Sequence, residues 1–323
     1  MPPDDDPAGG FDGGGFVRVL VTGGAGFIGS HLCEGLLAAG HAVRTLDDLS
    51  VGRRENVPAG CAFVRGSVLD EGVLAEAMEG VEAVFHEAAR VTVRGSMDAY
   101  VDDAETNLLG ALKTLRAAHR AGVKRFVFAS SMAVYADSPD ATPVTESHPL
   151  APTSPYGVTK LAAERELLLL GPHLGVETVA LRYFNAFGPR QAFTPYVGVA
   201  TIFVTQLLAG EALTVYGDGG QTRDFVHVSD IVQANRLALT APGAAGQVIN
   251  VGSGRGTTVR ALAEGLTARL RPGAPWRHVP ARAEEIRHSV ADLTRARSVL
   301  GYAPTTDIDA QIDGVIASVR GSS

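Results

Sequence analysis

A tyrosine and a lysine four residues apart, Tyr156 and Lys160, follow Pro155 in the segment SPYGVTK. Positions i and i+4 share one face of a helix. An ammonium beside a phenol favours the phenolate and lowers its pKa. Tyr156 is therefore expected to act as a general base near neutral pH, with Lys160 as its electrostatic partner. Such a base needs a hydroxyl to share the proton of a substrate alcohol. The run KRFVFASSMAVY reads as a buried strand that delivers Ser130 and Ser131 at its C-terminal end, where open α/β sheets bind ligands. Alone, a Tyr and a Lys at this spacing would be an ordinary helix surface; the serine strand and the glycine turn described next give the pair its meaning.

The apolar run FVRVLVTG leads into Gly23, Gly26 and Gly29, a G-x-x-G-x-x-G turn that also carries Phe27 and Ile28. Between a strand and a helix, such glycines let backbone N–H groups approach a pyrophosphate, and the helix N-terminus adds partial positive charge. Asp47 lies 18 residues beyond Gly29, at the end of the next apolar run. A carboxylate there would hold the adenosine ribose hydroxyls and repel a 2′-phosphate, which favours NAD over NADP. Of the adjacent acids Asp47 and Asp48, the first is chosen because it directly follows the apolar stretch.

These residues require a particular scaffold. SHLCEGLLAAG reads as a helix ended by Gly40, and HAVRTLDD, CAFVRG, VEAVFHEAA, KRFVFASS, ETVALRYF and GQVINVG read as strands. Helical stretches lie between them, notably DAETNLLGALKTLRAAHRAG and SPYGVTKLAAERELLLLG. Alternation of this kind predicts an α/β fold, a Rossmann-type doubly wound parallel sheet, with a smaller C-terminal α/β region for substrate. The expected division is a disordered leader over 1–15, a mainly NAD-binding part over 16–184 and a mainly substrate-binding part over 185–323, interleaved with the first.

Composition narrows the class. The 323 residues include 46% apolar side chains, enough to build a large core and to exclude disorder as the main state. No uninterrupted apolar run reaches the roughly 18 residues of a membrane span. A net charge of −7 argues against coating nucleic acid. Cys33 and Cys61 have no metal-ligand spacing and read as small buried hydrophobes. HEAAR at 86–90 lacks the second histidine of a zinc pair, so no metal is expected and His86 reads as a strand-end residue. The leader MPPDDDPAGGFDGGG has no apolar core for export, which makes the cytoplasm the expected address.

Together these motifs resemble the extended short-chain dehydrogenase/reductase family, from about Val17 to Pro304, and within it the nucleotide-sugar epimerases of the UDP-glucose 4-epimerase type. Further segments carry the resemblance: VFHEAA, NLLGALKTLRAA, LRYFNAFGPRQ, YGDGGQTRDFVHVSDIV and EIRHSVADLTRARSVLGYAP. The resemblance implies that Tyr156 is the base, that Lys160 also contacts the nicotinamide ribose, and that Ser131 bridges the substrate hydroxyl. It places Ser67, Val68, Ala88 and Asn107 along the cofactor, with Ser67 standing where the family usually has an aspartate. It assigns Asn185, Arg223 and Arg282 to a sugar-nucleotide diphosphate, and Tyr216 and the backbone of Val199 to its base. Arg90 and Met132 fall near the sugar, Arg90 either as a sugar contact or in a salt bridge with Glu87. Ser289 falls at a gate where a small residue leaves room for a 2-N-acetyl group.

The implied reaction begins with hydride leaving the sugar C4 for NAD while Tyr156 takes the C4 proton. Family members that eliminate water, or lose carbon dioxide, carry acids directly after the serine; here Met132 and Ala133 stand there and can transfer no proton. The expectation is thus a 4-epimerase acting through a transient 4-keto sugar. An NDP-sugar dehydratase or ketoreductase, and a non-catalytic dinucleotide-binding sensor, are the alternatives. The apolar segment LAAERELLLLG and the helix near Asn107 resemble the family's dimer helices, so a homodimer is expected.

Overall fold

The computed structural model describes residues 15–91, 95–138, 140–192, 198–281 and 286–321. Most of the expected leader, 1–14, therefore lies outside the described residues.

The chain starts as a β–α alternation. Strand β1 (Arg18–Thr22) is followed by helix α1 (Phe27–Ala38), β2 (Ala42–Asp47), β3 (Ala62–Arg65), α2 (Glu71–Ala77) and β4 (Ala83–His86). Helix α1 ends where Gly40 takes φ +87° and returns its N–H to Leu37, as the glycine stop predicted. A continuous helix then runs through α3 (Tyr100–Asp103), a π-helical turn (Ala104–Leu109) and α4 (Gly110–Arg120). Strand β5 (Arg125–Ser131), α5 (Pro155–His173) and β6 (Glu177–Tyr183) complete the first part. Helix α5 opens as a capped helix should: the Ser154 hydroxyl accepts the Gly157 N–H, and Pro155 takes the first position.

Beyond residue 184 come β7 (Asn185–Phe187), α6 (Val199–Leu208), β8 (Leu213–Tyr216), β9 (Thr222–His227) and α7 (Val228–Thr240). They are followed by β10 (Val248–Val251), β11 (Gly256–Thr258), α8 (Val259–Leu270), β12 (Trp276–Val279), β13 (His288–Ser289) and α9 (Ile308–Gly321).

Seven parallel strands form the main sheet in the order β10-β6-β5-β4-β1-β2-β3. The chain reverses direction between β1 and β4, the switch point at which doubly wound sheets bind dinucleotides. Side-chain alternation divides the core: Val19 and Val21 face α1 and α7, while Leu20 faces α2, α4 and α5. Strand β10 and helix α7, both from beyond residue 184, belong to this layer, because β10 pairs with β6 and α7 packs on α1. A separate cluster of α6, α8, α9 and β8 forms the C-terminal core. A small sheet of β7, β9, β11 and β13 lies within the C-terminal part.

Candidate active site

Register brings the chemistry to one edge. Thr22 pairs with Leu46 and His86, His86 with Phe128, and Ser131 with Tyr183. The C-terminal ends of β2, β1, β4, β5 and β6 thus carry Asp47, the glycine turn, Glu87, Ser131 and Tyr183 side by side.

At the glycine turn, Gly23 has φ +72°, and a Cβ there would stand 2.7 Å from the backbone N of Ala88. A Cβ on Gly29 would fall 2.2 Å from the carbonyl oxygen of Gly23. Only hydrogen fits at either point. Gly26 precedes α1 without any side-chain cap, so the first helical N–H groups, those of Phe27 and Ile28 among them, compete with no local side chain. Asp47 is buried at the end of β2; its carboxylate accepts the N–H of Ala25 (2.9 Å) and of Leu49 (2.8 Å). Burial pushes this carboxyl upward and those two bonds oppose it. Asp48 is exposed and closes a local turn on Ser50. A narrow cradle, an uncapped helix start and an acid on the neighbouring strand fit a dinucleotide: pyrophosphate on the turn, ribose at Asp47.

Around this cradle, Ser67 accepts the N–H of Leu69 (3.2 Å), and Ala88 donates its N–H to Thr22 Oγ1 (3.3 Å). Val68 is buried in the core against Gly110. Asn107, fully buried in the π-helical turn, is already engaged. Its amide accepts the Arg90 N–H (2.8 Å), donates to the Arg90 carbonyl (3.1 Å) and reaches Thr159 Oγ1 (3.3 Å). It fixes the loop after β4 to the start of α5. His86 is enclosed against the Phe128 ring, and burial, with Lys160 nearby, holds it down to about 3, permanently neutral at physiological pH.

The two serines part company. Ser130 donates to Glu164 (2.7 Å), a buried carboxylate that also takes Arg182 Nε (2.9 Å). Ser131 instead caps the turn at Ala133 (3.1 Å) and lies beside the Tyr156 phenol, whose charged form it favours. Tyr156 and Lys160 both lie on α5, as their spacing predicted, and both are buried there.

The expected lowering of Tyr156 by Lys160 is not what the fold alone delivers. Burial pushes the phenol up to about 12 despite the opposing influence of Ser131, and Asp103 and Glu87 add to the rise. Lys160 spends its ammonium on the carbonyl of Ala129 (2.9 Å), 4.9 Å from the Phe128 ring centroid. Burial brings it down to about 8, with Glu87 pulling the other way. A second correction concerns Arg90. Its partners are Asp103 (3.3 Å) and Asp102 (3.6 Å), not Glu87. Glu87 accepts the Tyr183 hydroxyl (2.8 Å), which in turn takes an N–H from Asn235 (2.7 Å). Tyr183 and Asn235 escaped the sequence reading, and Glu87 was read only as a partner of Arg90, although an acid at the very end of the strand VFHE was the available signal.

On the substrate side, the small sheet groups three expected residues. Asn185 pairs with Phe225 of β9, and Ser289 of β13 pairs with Arg223 of β9. Asn185 Nδ2 and Ser289 Oγ are both buried with no hydrogen-bond partner among the described residues. Ser289 is wholly enclosed, so no opening shows at that position. Arg223 donates to the Thr222 carbonyl (2.9 Å). Tyr216 ends β8, and Val199 opens α6, which has no side-chain cap. Met132 begins the turn after Ser131 and packs on the core. Arg282 lies outside the described residues.

Comparison with known proteins extends this reading. Residues 19–252 match the model of the NAD dependent epimerase/dehydratase family. The chain is 38% identical to a UDP-glucose 4-epimerase of Mycolicibacterium smegmatis over 316 residues, covering 95% of this chain and all of that one. A UDP-glucose 4-epimerase structure from Thermotoga maritima, with UDP-glucose, superposes with a TM-score of 0.89 at 35% identity, over 94% of this chain and 99% of that one. A UDP-N-acetylglucosamine 4-epimerase from Methanobrevibacter ruminantium, in complex with UDP-N-acetylmuramic acid, gives 0.89 at 32%, over 95% and 99%. No helix among the described residues is long and apolar enough to cross a membrane. With its glycine cradle, its Ser131–Tyr156 pair and its full-length likeness to these enzymes, the chain belongs to the NAD-dependent epimerase/dehydratase family.

Proposed function

We propose that the protein is an NAD-dependent 4-epimerase of a nucleotide-diphosphate sugar, a UDP-hexose or a UDP-N-acetylhexosamine. The observation that carries the reading is the placing of Ser131 beside the Tyr156 phenol, whose charged form it favours, at the end of β5, followed by a turn, Met132–Val134, with no ionisable side chain. Tyr156 and Ser131 take a hydroxyl proton from the sugar and return it; nothing after Ser131 donates the further proton that elimination of water requires. Bound NAD supplies the hydride acceptor and donor, and its oxidised ring brings the positive charge that the fold alone does not set against the phenol.

Asn185, with its unsatisfied amide, and Arg223 are the proposed diphosphate contacts, Arg282 a third, and Tyr216 and Val199 meet the base. A guanidinium suits phosphate oxygens because its donors match them in pairs. Ser289 is the proposed gate residue: enclosed as the fold stands, its small side chain obstructs a 2-N-acetyl group less than a larger one would. The proposed assembly is a homodimer through α5 and the Tyr100–Arg120 helix. Tyr100, Val101, Leu109, Val158 and Leu169 stand exposed on these elements.

The test uses the purified protein without added cofactor and a panel of UDP- and dTDP-sugars. It includes UDP-glucose, UDP-glucuronic acid and UDP-N-acetylglucosamine, with products read by mass and proton NMR. An isomer of unchanged mass, reaching one mixture from either side, is the expected result. Loss of water or carbon dioxide would overturn the epimerase reading.

A further inference from the structure

Three buried polar residues form a row across the main sheet near its reacting edge. Register sets Ser130 of β5 beside Arg182 of β6, and Arg182 beside Asn250 of β10. Side chains in register share a face of the sheet. Arg182, in the middle, meets the Glu164 carboxylate through both Nε (2.9 Å) and Nη2 (2.5 Å). The same carboxylate takes the Ser130 hydroxyl (2.7 Å). The guanidinium also lies 4.7 Å from the Tyr135 ring centroid, and the Tyr135 hydroxyl donates to Asn250 Oδ1 (2.6 Å). Asn250 is anchored in turn: its amide donates to the Val144 carbonyl (2.8 Å) and its backbone N–H to Glu146 (2.9 Å). Ser130, Glu164, Arg182, Tyr135 and Asn250 are all buried.

This cluster spans the two pieces of chain that the reaction needs together. Ser131 and the turn after it lie between Ser130 and Tyr135, so their segment is held at both ends. Glu164 stands on α5 one helical turn beyond Lys160 and two beyond Tyr156, on the same face of the helix. Replacing a buried ion pair by apolar side chains of similar volume often costs a fold nothing. What such a pair imposes is geometry, and a guanidinium fork imposes more of it than a point charge does.

We propose that Arg182 is a positioning residue for the reacting hydroxyls: one guanidinium holds the Ser131 segment at both ends and locks it to the helix that carries Tyr156 and Lys160. It acts through its neighbours and enters no proton transfer itself. The kinetic consequence rests on the epimerase reading; the positional one does not.

The sequence has seven tyrosines, so a holoenzyme labelled with 13C at tyrosine Cζ gives a spectrum simple enough to assign. The resonance missing from Tyr156→Phe identifies Tyr156, and Ser131→Ala sets the direction in which it moves when the serine hydroxyl is lost. Ser130→Ala removes the hydroxyl given to Glu164 and leaves the ion pair. Tyr135→Phe keeps the ring over the guanidinium and removes only the bond to Asn250. Arg182→Lys keeps the charge and loses the fork. Val315→Ala opens a cavity in the C-terminal core and is the control for lost stability alone. The Tyr156 resonance is expected to move in the Ser131→Ala direction in the first three, most in Arg182→Lys, and to stay in place in Val315→Ala. In parallel, kcat falls by about tenfold in Ser130→Ala and Tyr135→Phe and by about 10²-fold in Arg182→Lys. KM stays within about twofold. A Tyr156 resonance that stays in place in every folded member of the three overturns the proposal. So does one that moves equally in Val315→Ala at an equal loss of Tm. A resonance that moves as expected in a protein turning over no sugar sinks the epimerase reading and leaves this one standing.

Discussion

Burial sets the ionisation of Tyr156, Lys160 and Glu87 more strongly than any one neighbour does. Tyr156, raised to about 12, is a protonated phenol at rest, and in the proposed reaction it works as a base only while a cation and the Ser131 hydroxyl support the developing charge. Replacing it with phenylalanine removes the proton acceptor and little else. Tyr156→Phe should lose about 10²- to 10⁴-fold in kcat while retaining bound NAD, measured by turnover and by cofactor released on denaturation. Activity within a few-fold of the parent would refute the base assignment. Glu87 makes a separate statement about stability. Its folded-state value, about 7, lies above the ordinary 4.5, so the native state binds the proton more tightly. The stability this group contributes is full below about 4.5 and is lost as pH rises through about 7. Glu87→Gln should therefore raise Tm at about pH 8 and leave it unchanged at about pH 4, as calorimetry can read. An equal shift at both values would assign the effect to shape rather than charge.

At the level of elements, the β1–α1 turn and the π-helical turn do opposite kinds of work. The first leaves space; the second fills it. Gly29 abuts the carbonyl of Gly23, a backbone atom that cannot swing aside. Gly29→Ala should cost about 1–3 kcal/mol through forced backbone movement and empty the cradle of NAD. A thermal melt and the cofactor content per chain check this, and full occupancy at an unchanged Tm would contradict it. The π-helical turn pushes Asn107 inward, where its amide ties together the loop after β4 and the start of α5. π turns recur at functional sites because the extra residue re-aims a side chain. Here the aim is at Arg90, which is held between this turn and the acids Asp102 and Asp103.

The whole molecule has a nucleotide layer closed by a strand from its own C-terminal half, since β10 completes the sheet beside β6. The exposed apolar face lies elsewhere, on α5 and the adjoining Tyr100–Arg120 helix, which pack together. On α5, Val158 is 52% exposed and Leu169 72%. Their spacing of three helical turns puts them on one face. Burying such a side chain is worth about 1.5–3 kcal/mol, which argues for a second copy of the chain as its cover. Leu169→Glu should reduce the mass seen by light scattering from that of a dimer to that of one chain, with the fold retained by circular dichroism. A wild-type protein that already scatters as a monomer would remove this part of the proposal.

The alternation of strand and helix, the glycine turn, Asp47 and the Ser131–Tyr156–Lys160 set were legible in the residues themselves. Each depends on local periodicity or on spacing within one element, and short-range geometry is fixed by chain sterics. Which of Ser130 and Ser131 keeps a hydroxyl clear of the buried Glu164 was decided only by a different element, since Glu164 of α5 holds the Ser130 hydroxyl. Arg90's partners, the Glu87–Tyr183–Asn235 chain and the rise of Tyr156 were likewise decided by tertiary structure. They depend on which elements come to lie against one another and on how much water they exclude. Residues 87, 183 and 235 carry no mutual spacing, because contact across a sheet leaves no period in the sequence. Desolvation, the largest influence on all three ionisable groups at the site, is a property of the assembled core.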